Sequence, residues 1–121
     1  MRYLKSSILA LLTLCSAHAL ADSSVYAVTH VDIEPPQVKT ALTLLHTFAD
    51  QARHDPDVVH LDVLEQTDAK NHFTLVEVLR SPAAYDRFVQ QGYVKQMRTQ
   101  LQPLLGSPFD ERLHAQVPSG A

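Results

Sequence analysis

The stretch His72-Phe73-Thr74-Leu75-Val76-Glu77-Val78-Leu79 decides the fold. Its β-branched and aromatic side chains read as a strand. Phe73, Leu75 and Leu79 fall on one side and Val76 and Val78 on the other, so both faces are apolar. A half-solvated sheet alternates apolar and polar residues cleanly, whereas this strand asks for cover on both faces. Glu77 interrupts the run, and a carboxyl in such a place must be paired, hydrogen-bonded or protonated.

Working outward, Thr67-Asp68-Ala69-Lys70-Asn71 is polar turn chemistry, and before it Val58 to Glu65 alternates Val59, Leu61 and Val63 against Val58, His60, Asp62 and Leu64. The two strands make a hairpin. Upstream, Val38, Ala41, Leu42, Leu45, Phe48, Ala49 and Ala52 recur at three- and four-residue steps, an amphipathic helix entered through Pro35-Pro36 and broken by His54-Asp55-Pro56-Asp57. Val25 to Ile33 is a first strand, with Val25, Ala27, Val31 and Ile33 at period two. Downstream, Ser81-Pro82 caps a short helix carrying Tyr85, Phe88 and Val89 and ending near Gly92. Tyr93, Val94, Met97, Leu101 and Leu104 continue the helical period toward Pro103, and Phe109 to Val117 is a last, weaker strand.

The order is βαββαβ with the second α in two pieces. It predicts an α+β domain: a four-stranded antiparallel sheet of ferredoxin-like topology with its helices on one face. Helices on one face leave the other side of the hairpin strand bare, so the pattern predicts an isologous homodimer packed through that face.

The chain has 121 residues, 45% hydrophobic and 19% charged, with one Cys and no Trp, the composition of one globular domain. Residues 1–21 have the layout of a signal peptide: Arg2 and Lys5 precede an apolar run from Ile8 to Leu14, and Ala17-His18-Ala19 and Ala19-Leu20-Ala21 offer two cleavage sites. The run is short of the roughly 20 residues of a spanning helix, so no membrane association is expected after cleavage, and the domain, residues 22–117, is expected to be periplasmic or secreted. Residues 118–121 read as a flexible tail. Cleavage after Ala21 removes two cations and Cys15, moving the net charge from -3 to -5. A mildly acidic domain without a basic cluster argues against nucleic acid or an anionic membrane as partner. Without cysteine it has no disulfide and no thiol nucleophile.

Glu77 admits two readings: a pocket acid or base, or a structural carboxyl anchoring a helix N-terminus or an arginine such as Arg98. Six histidines remain after cleavage, but none shows the spacing of a helical metal pair, and no metal site is expected. His60 with Asp62, and His30 with Asp32, each share a strand face and place an imidazole beside a carboxylate. G-x-S-x-G, P-loop and G-x-G-x-x-G motifs are absent. Tyr85, Phe88, Tyr93 and Met97 could line a flat cleft for an aromatic ligand, or form a plain core stripe. A phenol in such a cleft can donate to a developing oxyanion.

The run from His72 to Tyr85, after a helix and hairpin and before a second helix, resembles the antibiotic biosynthesis monooxygenase domain, a family that includes quinol monooxygenase-like proteins. The likeness spans roughly Val25 to Val117. It implies a dimeric α+β barrel and, for some members, oxidation of phenolic or quinol-type aromatics by O2 with neither metal nor flavin, the substrate supplying the electrons. No cofactor is then expected, and the partner is a small aromatic molecule. This chain departs from the pattern at Leu79, where an aromatic, usually Trp, is expected, and at Phe88 and Tyr93, where helix histidines often stand. Glu77 and Tyr85 carry over as the residues that would polarise or deprotonate a substrate hydroxyl, with Tyr93, His60 and Arg98 as further candidates. The alternative is a non-catalytic member of the fold that binds a hydrophobic small molecule or serves as an assembly partner.

Overall fold

The computed structural model describes residues 23–119; the signal segment expected over residues 1–21 lies outside them, as do the last two residues of the tail. Strand β1 (Val25–Asp32) leads through a single 3-10 turn at Pro35–Gln37 into helix α1 (Val38–Ala52). The hairpin follows as β2 (Val58–Gln66) and β3 (Ala69–Leu79), and then α2 (Pro82–Gln90), α3 (Gly92–Leu101), a second 3-10 turn at Gln102–Leu104, and β4 (Asp110–Ala115). The sheet order is β2-β3-β1-β4, antiparallel throughout, which is the ferredoxin-like α+β topology expected from the element order.

Local chemistry sets the boundaries. Ser81 Oγ accepts from the Ala84 backbone N–H at 3.0 Å and Pro82 opens α2, a side-chain cap on an otherwise unsatisfied donor. Gln91 is extended (φ -63°, ψ 138°), and this one residue separates α2 from α3. Two expected edges move. Strand β3 begins at Ala69, so the turn shrinks to Thr67-Asp68, because Ala69 already pairs with Gln66 of β2. The last strand is Asp110–Ala115 rather than Phe109 to Val117.

A register shift between Val58 and His60 also corrects the expected alternation of β2. Val58 pairs with Leu79 and is buried, whereas Val59, the bulged residue, is 51% exposed. Beyond the bulge, Leu61 and Val63 return to the buried side.

The helices cover one face. On it stand Val25, Ala27, Thr29 and Val31 of β1, and Phe73, Leu75, Glu77 and Leu79 of β3. Phe48 of α1, Phe88 of α2 and Leu101 of α3 are fully buried against them. The opposite face carries Tyr26, Val28, His30 and Asp32 of β1; His72, Thr74, Val76 and Val78 of β3; His60 and Asp62 of β2; and Arg112 and His114 of β4. Strand β3 is thus apolar on both sides; among the described residues no helix lies over Val76 and Val78, although neighbouring side chains leave Val78 only 8% exposed.

Candidate active site

Glu77 is the only acid on the helix-covered face of β3, and the pleat aims it into the core. It is 1% exposed, and its Oε2 has no hydrogen-bond partner among the described residues. Burial pushes its pKa up to about 8; the Arg98 guanidinium pulls it down and the Glu111 carboxylate pushes it further up. At pH 7 it is therefore mostly protonated.

Above Glu77 the three remaining groups satisfy one another. Tyr85 of α2 donates its phenol hydrogen to Glu111 Oε1, and Arg98 of α3 donates to Glu111 Oε2. Glu111 lies on β4 directly across from Thr29 of β1. Burial, then the bond to Glu111, raise the Tyr85 pKa to about 12, so the phenol holds its proton and acts as a donor, not a base. Arg98 also lines an open depression with Thr99, Gln102, Pro103 and Phe109, between α3 and the start of β4. Arg98 belongs both to that depression and to the buried group.

The arrangement can therefore do three things. A neutral carboxyl with a free oxygen can donate a hydrogen bond, or, once ionised, accept a proton. A phenol fixed by a carboxylate can hold an oxygen in place. A guanidinium stabilises negative charge developing on the ligand.

Of the five residues singled out in the sequence, Glu77, Tyr85 and Arg98 come together. Tyr93 serves elsewhere: its hydroxyl donates to Asp55 Oδ2 at 2.7 Å, and its ring packs on Phe48 and Phe88 with centroids 5.9 and 6.2 Å away. Burial, then that bond, push its pKa up. His60 is not brought to the site, because it points to the opposite face of the sheet, where its Nε2 meets Asp62 Oδ2 at 2.9 Å as expected from their spacing. Asp32, by contrast, meets His72 across the strands at 2.9 Å rather than His30. Phe88 and Met97 are core residues, 0% and 5% exposed. Glu111 was not signalled in the sequence: it sits in the weakest strand, and nothing local marks its side as buried.

A second hollow of about 140 Å³ lies between α1 and α3 over Phe48, Tyr93 and Met97, rimmed by Gln51, Gln96 and Gln100. It contains no charged group and offers no proton chemistry. Among the described residues no cluster of His, Cys, Asp or Glu is arranged to hold a metal, and no helix is long and apolar enough to cross a membrane.

The family model described as antibiotic biosynthesis monooxygenase matches residues 24–100. Among solved structures, a Mycobacterium tuberculosis protein is 23% identical with a TM-score of 0.72, over 82% of this chain and 100% of its own. A structure named antibiotic biosynthesis monooxygenase is 17% identical with a TM-score of 0.74, over 78% of this chain and 99% of its own. A Nitrosomonas europaea protein carrying the same family name is 12% identical with a TM-score of 0.75, over 82% and 96%. These likenesses establish the fold. A search of curated proteins finds no match.

Proposed function

This chain belongs to the antibiotic biosynthesis monooxygenase family, whose model covers residues 24–100, and on that premise we propose that it is an exported, homodimeric monooxygenase that oxidises a small phenolic or quinol-type aromatic with O2 and no cofactor. The observation that carries this reading is Glu77, a fully buried carboxyl with an unpartnered oxygen beneath the Tyr85–Glu111–Arg98 group.

In this reading the aromatic enters past Arg98 and Phe109 and presents a hydroxyl to Glu77. With its pKa pushed up to about 8 by burial, Glu77 is mostly neutral at pH 7 and ionises as the solution turns alkaline. A base tuned upward in this way lies close to the pKa of about 10 of the phenol it must deprotonate. The proton passes from the substrate oxygen to Glu77, and Arg98 stabilises the charge left behind. The electron-rich anion then reacts with O2. For a simple phenol, one O2 gives a quinone and one water, so the aromatic supplies every electron.

Oxygen consumption by the metal-stripped protein on a panel of quinols tests this directly. Glu77→Gln is expected to lower uptake at least about a hundredfold, the scale of a lost general base, and Tyr85→Phe to lower it by releasing Glu111 from its bond to the phenol, while both variants stay folded. Unchanged turnover in both removes these residues from the mechanism. N-terminal sequencing of the exported protein tests the leader: the mature chain is expected to start at Leu20 or Asp22, and a retained Met1 overturns export by cleavage.

Leu79, Phe88 and Tyr93 at the family's Trp and His positions favour a second reading, a module that binds the same aromatic without oxidising it. Its signature is a melting temperature raised by a quinol, by mass action, with no oxygen consumed.

A further inference from the structure

Thr29 plays no part in the chemistry above, yet its position is as unusual as that of Glu77. It is the one polar residue on the helix-covered face of β1, between Ala27 and Val31, and is 2% exposed. Its Oγ1 and Glu77 Oε2 are the two buried side-chain polar atoms without a hydrogen-bond partner among the described residues. A buried hydroxyl normally finds a partner, and two orphans on one face point to a shared polar guest.

The ladder brings them together. Ala27 pairs with Glu77 and Thr29 with Leu75, so Thr29 and Glu77 are diagonal neighbours on adjacent central strands, with Cα atoms roughly 7–8 Å apart. On its other side Thr29 faces Glu111. Ala27, directly across from Glu77, contributes only a methyl group there. A single oxygen held by two hydrogen bonds of about 2.8 Å spans partners roughly 4.5–5.5 Å apart, which side chains so placed can reach.

We propose that Thr29 Oγ1 and Glu77 Oε2 hold one hydroxyl-bearing guest between them: a water molecule in the free protein, and the hydroxyl of the aromatic substrate in the complex. The second half rests on the oxygenase reading; the first does not. The guest O–H donates to Glu77 Oε2 and its oxygen accepts from the Thr29 O–H, which can act as donor and acceptor alike. When the proton moves to Glu77, the guest O–H bond breaks and a Glu77 O–H bond forms. The Thr29 hydroxyl keeps its own hydrogen and donates it to the oxyanion. Thr29 thus selects substrates that carry a free hydroxyl and fixes its direction.

Crystal structures of the wild type, Thr29→Val and Thr29→Ser, paired with anaerobic binding of hydroquinone, test this. An ordered water between Thr29 and Glu77 is expected in the wild type and in Thr29→Ser, and is expected to be lost in Thr29→Val. Val is isosteric and at home in a buried strand, so that variant is expected to fold, its melting temperature lowered only by the loss of the water's bonds. Hydroquinone is expected to bind Thr29→Val at least tenfold more weakly, and Thr29→Ser within about twofold of wild type. A dry gap in the wild type overturns the proposal; equal hydroquinone affinity in Thr29→Val overturns its substrate half. A wild type that holds the water but binds no hydroquinone refutes the substrate half alone and counts against the oxygenase reading, while the Thr29–Glu77 water site stands.

Discussion

A carboxyl that is 1% exposed and has an unpartnered oxygen keeps its proton long after an ordinary glutamate has lost it. The sign of the consequence follows from linkage. Between about pH 4.5, where the unfolded carboxyl ionises, and about pH 8, where the folded one does, the native state binds the extra proton. The stabilising contribution is whole below about 4.5, falls as pH rises through this window, and is gone above 8, a swing on the order of 5 kcal/mol. Glu77→Gln, whose amide mimics the neutral acid, is therefore expected to match the wild type near pH 5 and to melt at a higher temperature at pH 9. Melting curves across that range check it, and parallel pH dependences would mean that Glu77 is not held neutral. Glu77 was legible as a residue because it breaks an apolar run. Glu111, the neighbouring carboxylate 34 positions away that ties Tyr85 and Arg98 together, was not, since the fold alone brings it to the site.

Between the elements, a set of polar ties in the α1–β2 loop does the fastening. Tyr93 donates to Asp55, the Asp57 backbone N–H donates to Asp55 Oδ1, and Arg87 grips Asp57 through two bonds of 2.8 and 3.0 Å. The Arg87 guanidinium holds the Asp57 carboxyl below its usual range. The loop is thereby fixed to both α2 and α3, which carry Tyr85 and Arg98. Tyr93→Phe leaves a buried Asp55 oxygen unpaired and is expected to cost about 1–3 kcal/mol of stability while turnover stays within about twofold. Urea unfolding and oxygen uptake measured on the same preparation separate the two; a collapse of kcat at intact stability would place Tyr93 in the chemistry. The helices and strands were legible from periodicity and from Pro and Ser signals. The bulge at Val59 was not, because an extra residue in a ladder leaves no mark in a short alternating run. Nor was the role of Tyr93, whose partner lies in a turn 38 residues upstream.

At the scale of the whole molecule, two features meet at the sheet. One face carries the candidate site and the other carries half-buried Val28 and Val76 and the buried Val78 among His30, His60, His72 and His114. A second copy packed on that face would complete the barrel implied by the two-sided pattern of β3. Light scattering at micromolar concentration is expected to give a dimer for the wild type and a monomer for Val76→Asp, because an unpaired carboxylate in the interface costs more than a valine contributes. A monomeric wild type would contradict it. The two-sided apolar pattern that suggested this face was read from β3 alone; the histidines gathered on it belong to four strands and meet only through the register. The claim on which the rest depends is that Glu77 is the proton acceptor of an O2-consuming site. The rate of quinol-dependent oxygen uptake from pH 6 to 9, wild type beside Glu77→Gln, measures it. The wild-type rate is expected to rise through a midpoint near pH 8 and the variant to show neither the rate nor the rise; equal uptake by the two proteins across the range would contradict the account.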